Sequence, residues 1–127
     1  MNNAKHRYDQ AASLVKTHGV LSSVMGAIGA FTGLVFLLIF VVALGVATTE
    51  ADAVTYLFFF IATLLFWLVP HIYLVIAGVL LVRQPEPRIA KTLTIANLVV
   101  GVFWNYVILV LAIISLTQSR DYEEGYK

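Results

Sequence analysis

No cysteine occurs in the 127-residue chain, so disulfides, thiol nucleophiles and Cys-ligated metals are excluded. Charge is also scarce. Asp, Glu, Lys and Arg make up 12% of the residues, where a soluble domain carries about 25%. None of them interrupts Val20–Ala47, Val54–Val82 or Thr92–Leu116. Without an intramembrane carboxylate, the acid chemistry of ion- or drug-coupled antiporters is missing. The chain has no Gly-rich phosphate loop, no His pair at metal spacing and no Ser/His/Asp set that one pocket could hold. It has no tandem repeat. A net charge of +1 without a Lys/Arg cluster gives no case for nucleic acid. No cofactor, no metal and no enzymatic activity are expected.

What the chain has is apolar length. Hydrophobic residues make up 61% against about 45–50% in soluble proteins. Crossing a bilayer core of ~30 Å takes about 20 apolar residues, and each of the three runs meets that. The expectation is an all-α integral membrane bundle of three transmembrane helices in a single domain. The spans fall at 20–47, 54–82 and 92–116, with an N-terminal segment at 1–18 and a charged tail at 117–127. The N-terminal segment reads equally as a short interfacial helix, from the spacing of Ala4, Tyr8, Ala11 and Val15, or as a solvated arm. The first run is much longer than the 7–15 residues of a signal-peptide core and reads as an uncleaved anchor. The acidic stretch Thr48–Ala53 joins spans one and two. Pro85 and Pro87 stiffen the link between spans two and three.

Orientation follows Lys and Arg placement. Lys5, Arg7, Lys16, Arg83, Arg88 and Lys91 fall on one side of a three-span bundle, against Arg120 and Lys127 on the other. This expectation puts a multi-pass protein in the cell membrane, with the N-terminus cytoplasmic, the C-terminus outside and the tail solvated.

Few side chains stand out from the apolar background. Ser22, Gly26, Gly29 and Gly33 lie within a stripe about 60° wide, and Gly29–Gly33 is a GxxxG. Small residues on one stripe let two backbones approach closely in lipid. The stripe could seat another span of the same chain or a second copy. Pro70 removes a backbone donor and frees the Phe66 carbonyl, predicting a kink. His71, next to it, is an ionisable group in the middle of a span and so a candidate site. Counting from the shared link puts His71 and Asn105 at one depth, and Thr32 and Tyr73 could join them in a midplane polar cluster. That cluster serves either as polar glue or as a proton- or substrate-contacting site. Asn97 reads as a local cap, His6 and His18 as solvated, and Trp67 and Trp104 as space-fillers. Tyr56, Tyr122 and Tyr126 read as an outer interfacial belt.

The stretch RIAKTLTIANLVVG, Arg88–Gly101, is similar to the start of the last span in several small bacterial membrane-protein families and in the interferon-induced transmembrane proteins. It covers about a tenth of the chain. The cysteines and the re-entrant first half of the latter group have no counterpart in the chain, and no residue role is transferred. The expected function is a non-enzymatic accessory or scaffold subunit, packing in the lipid bilayer against itself or a larger membrane complex. The alternatives are a homo-oligomeric transporter, channel or holin-like pore using His71 and Asn105, or a pH sensor at His71.

Overall fold

The computed structural model describes residues 2–126 and is all-helical among them. Helix α1, Asn2–Gly45, runs unbroken, so the N-terminal segment is helical rather than an arm, and it is continuous with the first apolar run rather than a separate short helix. It is the first part of the same rod. Its 44 residues extend for about 66 Å at 1.5 Å per residue. Thr49 then caps α2, Glu50–Val82, by accepting from the Asp52 N–H at 3.1 Å, and Glu50 and Asp52 suit the positive end of the helix dipole. Both α1 and α2 are long and apolar enough to cross a membrane.

The two helices lie antiparallel along the small-residue stripe. Gly19 faces Gly78–Val82, Gly26 faces His71–Val75, Gly33 faces Trp67, and Phe40 stacks on Phe59. A Cβ on Gly26 would lie 2.7 Å from the His71 carbonyl oxygen and the Val75 nitrogen. The backbones can therefore meet only because that Cβ is missing. Pro70 leaves its mark as a π-helical turn, Leu64–Leu68, in which α2 widens by one residue before it resumes.

The third apolar run does not form the expected span. Helix α3, Pro87–Trp104, ends at Asn105, and α4, Tyr106–Thr117, begins there. Asn105 is extended (φ −155°, ψ 104°) and its side chain accepts from the Val107 and Ile108 N–H groups at 3.0 and 3.2 Å. The chain reverses, and α4 packs back along α3. Gly101 admits the close approach, since a Cβ there would lie 2.6 Å from the Leu109 nitrogen. The segment 92–116 is thus a helical hairpin, and the C-terminus returns to the end it left.

That reversal also relocates the tail. Ser119–Gly125 forms α5, which lies against the start of α1 rather than free in solvent. Tyr122 is buried, stacks on Tyr8 with ring centroids 5.8 Å apart and donates its hydroxyl proton to the Pro85 carbonyl. Tyr122 and Tyr126 therefore belong to a cluster beside the N-terminus, not to a belt at the far end with Tyr56. Burial, with Tyr8 and Tyr126 adding to it, pushes the Tyr122 phenol up to about 12. A phenol raised in the folded state contributes stability that is complete below its unfolded value, about 10. That contribution is lost as pH rises through 10 to 12. Tyr122→Phe should weaken tail docking by about 0.5–1.5 kcal/mol and remove this alkaline loss, as read by proteolysis of the tail against pH.

Candidate functional site

The deepest polar residues gather where α1, α2, α3 and α4 meet. His18, Ser22 and Asn97 are each 0% exposed, and Ser115 is buried beside them. The Asn97 amide nitrogen lies 3.0 Å from His18 Nε2 and donates to Ser22 Oγ at 3.2 Å. Ser22 donates to the Leu74 carbonyl at 2.7 Å. His18 Nδ1 faces Ser115 Oγ at 3.4 Å. An amide nitrogen has only protons to give, so His18 Nε2 accepts and its proton sits on Nδ1, towards Ser115. One neutral imidazole thereby ties α1 to both legs of the hairpin, while Ser22 ties α1 to α2.

His18 and Asn97 are therefore not the solvated residue and the local cap that their positions in sequence suggest. Their partners lie 79 and 75 residues away in the chain. Only the hairpin brings Ser115 down to the same level. The sole signal within the sequence is helical register, which places His18 and Ser22 one turn apart on a single face.

A second layer holds the hairpin tip. Pro70 cannot bond the Phe66 carbonyl, and Trp104 Nε1 takes it at 2.6 Å. Trp67 Nε1 donates to the Gly29 carbonyl at 2.9 Å, and the Trp67 ring packs on His71 with centroids 4.7 Å apart. His71 Nδ1 bonds the Trp67 carbonyl at 2.7 Å, and the imidazole lies over Gly29, where any Cβ would collide with it. Both tryptophans thus serve as donors as well as filling space. Trp104→Phe keeps an aromatic, though smaller, side chain but removes the donor to the Phe66 carbonyl. It should cost about 1 kcal/mol, seen as a lower melting temperature in detergent.

The expected midplane cluster does not assemble. Thr32 bonds within its own helix, to the Ile28 carbonyl. The Tyr73 hydroxyl is buried without a partner. Asn105 is occupied as the cap of α4. Ser22, Gly26, Gly29 and Gly33 face α2, so this seam is filled from within the chain. Lys5, Arg7, Lys16, Arg83, Arg88 and Lys91 lie towards the end that also holds α5, where Arg7 approaches Asp121 at 4.0 Å.

The polar layer is closed on its donor side, while Asn97 Oδ1 is buried without a hydrogen-bond partner. Among the described residues no group of three His, Cys, Asp or Glu could hold a metal ion. The cavity beside Thr94 and Ser115 measures about 20 Å³, room for one water rather than a ligand. Each donor named above for this layer is turned to an acceptor, and among the described residues no carboxylate is hydrogen-bonded or ion-paired to His18. No family model, curated protein or solved structure matches the chain.

Proposed function

We propose that the chain is a small, non-enzymatic membrane protein in which α1 and α2 span the bilayer and α3–α4 is a re-entrant hairpin entering from the side of both termini. The observation that carries this reading is the position of the tip. Trp104 bonds Phe66, the middle residue of α2. From Thr92 to Trp104 the hairpin rises about 18 Å at 1.5 Å per residue, a little over half of a ~30 Å hydrocarbon core. Asn105 supports it, because non-helical backbone at that depth needs its N–H groups satisfied by protein.

Charge supports the same topology. Lys5, Arg7, Lys16, Arg83, Arg88, Lys91 and Arg120 all sit towards one end. The turn between α1 and α2 carries Glu50 and Asp52 and no Lys or Arg. By the positive-inside rule both termini are cytoplasmic, which replaces the expected split of the Lys and Arg residues and the outside C-terminus.

An accessory or scaffold role fits what remains free. The stripe of small residues is taken up internally, which leaves the outer faces of the helices for a partner, those of α1 and α2 over the longest stretch. There Phe31 and Phe58 are 70% and 65% exposed, and no residue of α2 between Glu50 and Thr63 is buried. These faces are apolar, as suits lipid or another membrane helix, and they offer no polar lining for a pore. Gentle affinity purification from native membranes, with sizing and mass spectrometry, tests the role. A stoichiometric membrane partner or a homo-oligomer is expected. A monomer surrounded only by lipid would rule out the scaffold reading.

A further inference from the structure

The two halves of the molecule differ in girth. From the level of Phe66 towards the termini, α1 and α2 are flanked by α3 and α4. Beyond that level only α1 and α2 continue, as far as Gly45 and Glu50. Burial follows the same division. His71, Leu74, Ala77, Gly78 and Leu81 are buried on one half of α2, and none is buried over Glu50–Thr63. On α1 no residue beyond Gly33 is buried. At the tip, Phe103 and Tyr106 are 73% and 75% exposed and spread the broad half at the level where it ends.

We propose that the protein is a membrane wedge: four helices in the leaflet that holds the termini and two in the opposite leaflet expand one monolayer over the other, so the molecule favours, and at high density imposes, curvature with its termini on the convex face. The inference rests on the re-entrant topology proposed above. A helix about 10 Å across covers roughly 80 Å² of membrane plane. The hairpin therefore adds about 160 Å² to one leaflet and none to the other. The ligand is the bilayer itself, recognised by the spacing of its lipids rather than by a headgroup. Within the broad half the hairpin is held as a rigid unit, by the His18–Asn97–Ser115 layer at depth and by the Trp104–Phe66 bond at the tip. A floppy insertion would yield to lateral pressure, whereas this one transmits it.

The lack of native cysteine makes the test clean. Full-length Asn3→Cys and Glu123→Cys variants are reconstituted separately, by the same detergent removal, into small and large preformed vesicles of one lipid composition. A membrane-impermeant maleimide then reports the fraction of each terminus facing outwards. The outer monolayer of a small vesicle is the convex one. Both introduced thiols should report the same fraction, and the outward-to-inward ratio should be about threefold higher in small vesicles, the shift that a bias of one RT produces. Equal fractions that do not change with vesicle size would overturn the wedge and leave the hairpin standing. Thiols at positions 3 and 123 that face opposite sides would overturn the re-entrant topology, and the wedge with it.

Discussion

Gly26→Ala is expected to separate α2 from α1 over the middle of their contact. The added Cβ would meet the His71 carbonyl oxygen and the Val75 nitrogen at 2.7 Å, and the Leu74 Cβ at 2.9 Å. Two of these three atoms are backbone and cannot rotate away, so the helix must move as a body. Overpacking of this kind costs about 1–3 kcal/mol, and here it also pulls on the Ser22–Leu74 bond one turn away. Gly29→Ala meets a different obstacle, the His71 ring. Its penalty should therefore shrink in a His71→Ala background, with a coupling of about 0.5–3 kcal/mol, while the Gly26→Ala penalty should not. Gly45→Ala is the control, since nothing lies within 4 Å of a Cβ there. Thermal unfolding in one detergent ranks the variants. If Gly26→Ala melts together with Gly45→Ala, the close seam between α1 and α2 is wrong.

That seam is the part of the fold most legible in the sequence, and the reason is physical. A stripe of small residues is a local, periodic property of one helix, and in lipid close backbone approach is its main use. What the stripe does not encode is the identity of the occupant, which depends on where the rest of the chain goes. The third run misleads for the complementary reason. Thr92–Leu116 has the length and apolarity of a span, and Trp104-Asn105-Tyr106 contains neither Gly nor Pro to announce a turn. The clues are weaker: an Asn, which favours N-caps, four residues after a Gly. Once the run is read as straight, the errors beyond Asn105 follow together. Ser115 is carried to the far side of the membrane, His18 loses its second partner, and Tyr122 is placed in an outer belt. The long-range polar contacts made by residues beyond Asn105, those of Ser115 with His18 and of Tyr122 with Pro85, are the ones that one unrecognised reversal hides. The effect of Pro70 is only half legible. Loss of its N–H predicts a free Phe66 carbonyl, but nothing local in the sequence names the donor that takes it, Trp104, 38 residues further on.

Asn105→Leu should have the largest effect on topology. In the wild type, the Asn105 side chain satisfies the Val107 and Ile108 N–H groups at a depth where, in the proposed arrangement, no water can replace it. Leucine offers no acceptor, and an unpaired N–H in hydrocarbon is costly. The chain has one general way to recover both bonds. It can continue the helix through position 105, so that the N–H groups of residues 107 and 108 reach the carbonyls of Phe103 and Trp104. That straightens Pro87–Thr117 into a full span and carries the tail across the membrane. Opposing it are the Ser115–His18 contact and the close packing of Gly101 on Leu109, so the expected result is a shift in the ratio rather than complete conversion. Losing an N-cap of this type is worth about 0.5–2 kcal/mol, and one or two kcal/mol changes such a ratio by a factor of about 5–30. Asn105→Ser keeps a side-chain acceptor and should stay close to the wild type. The readout is maleimide accessibility of Glu123→Cys in cells, compared with Asn3→Cys. With Asn105 in place, both thiols should be protected outside and reactive inside. In Asn105→Leu a distinct population should label from outside at position 123 alone. If Asn105→Leu leaves both thiols on one side and the melting temperature unchanged, Asn105 does not hold the hairpin, and the reversal is maintained by the Ser115–His18 contact and the Gly101–Leu109 packing.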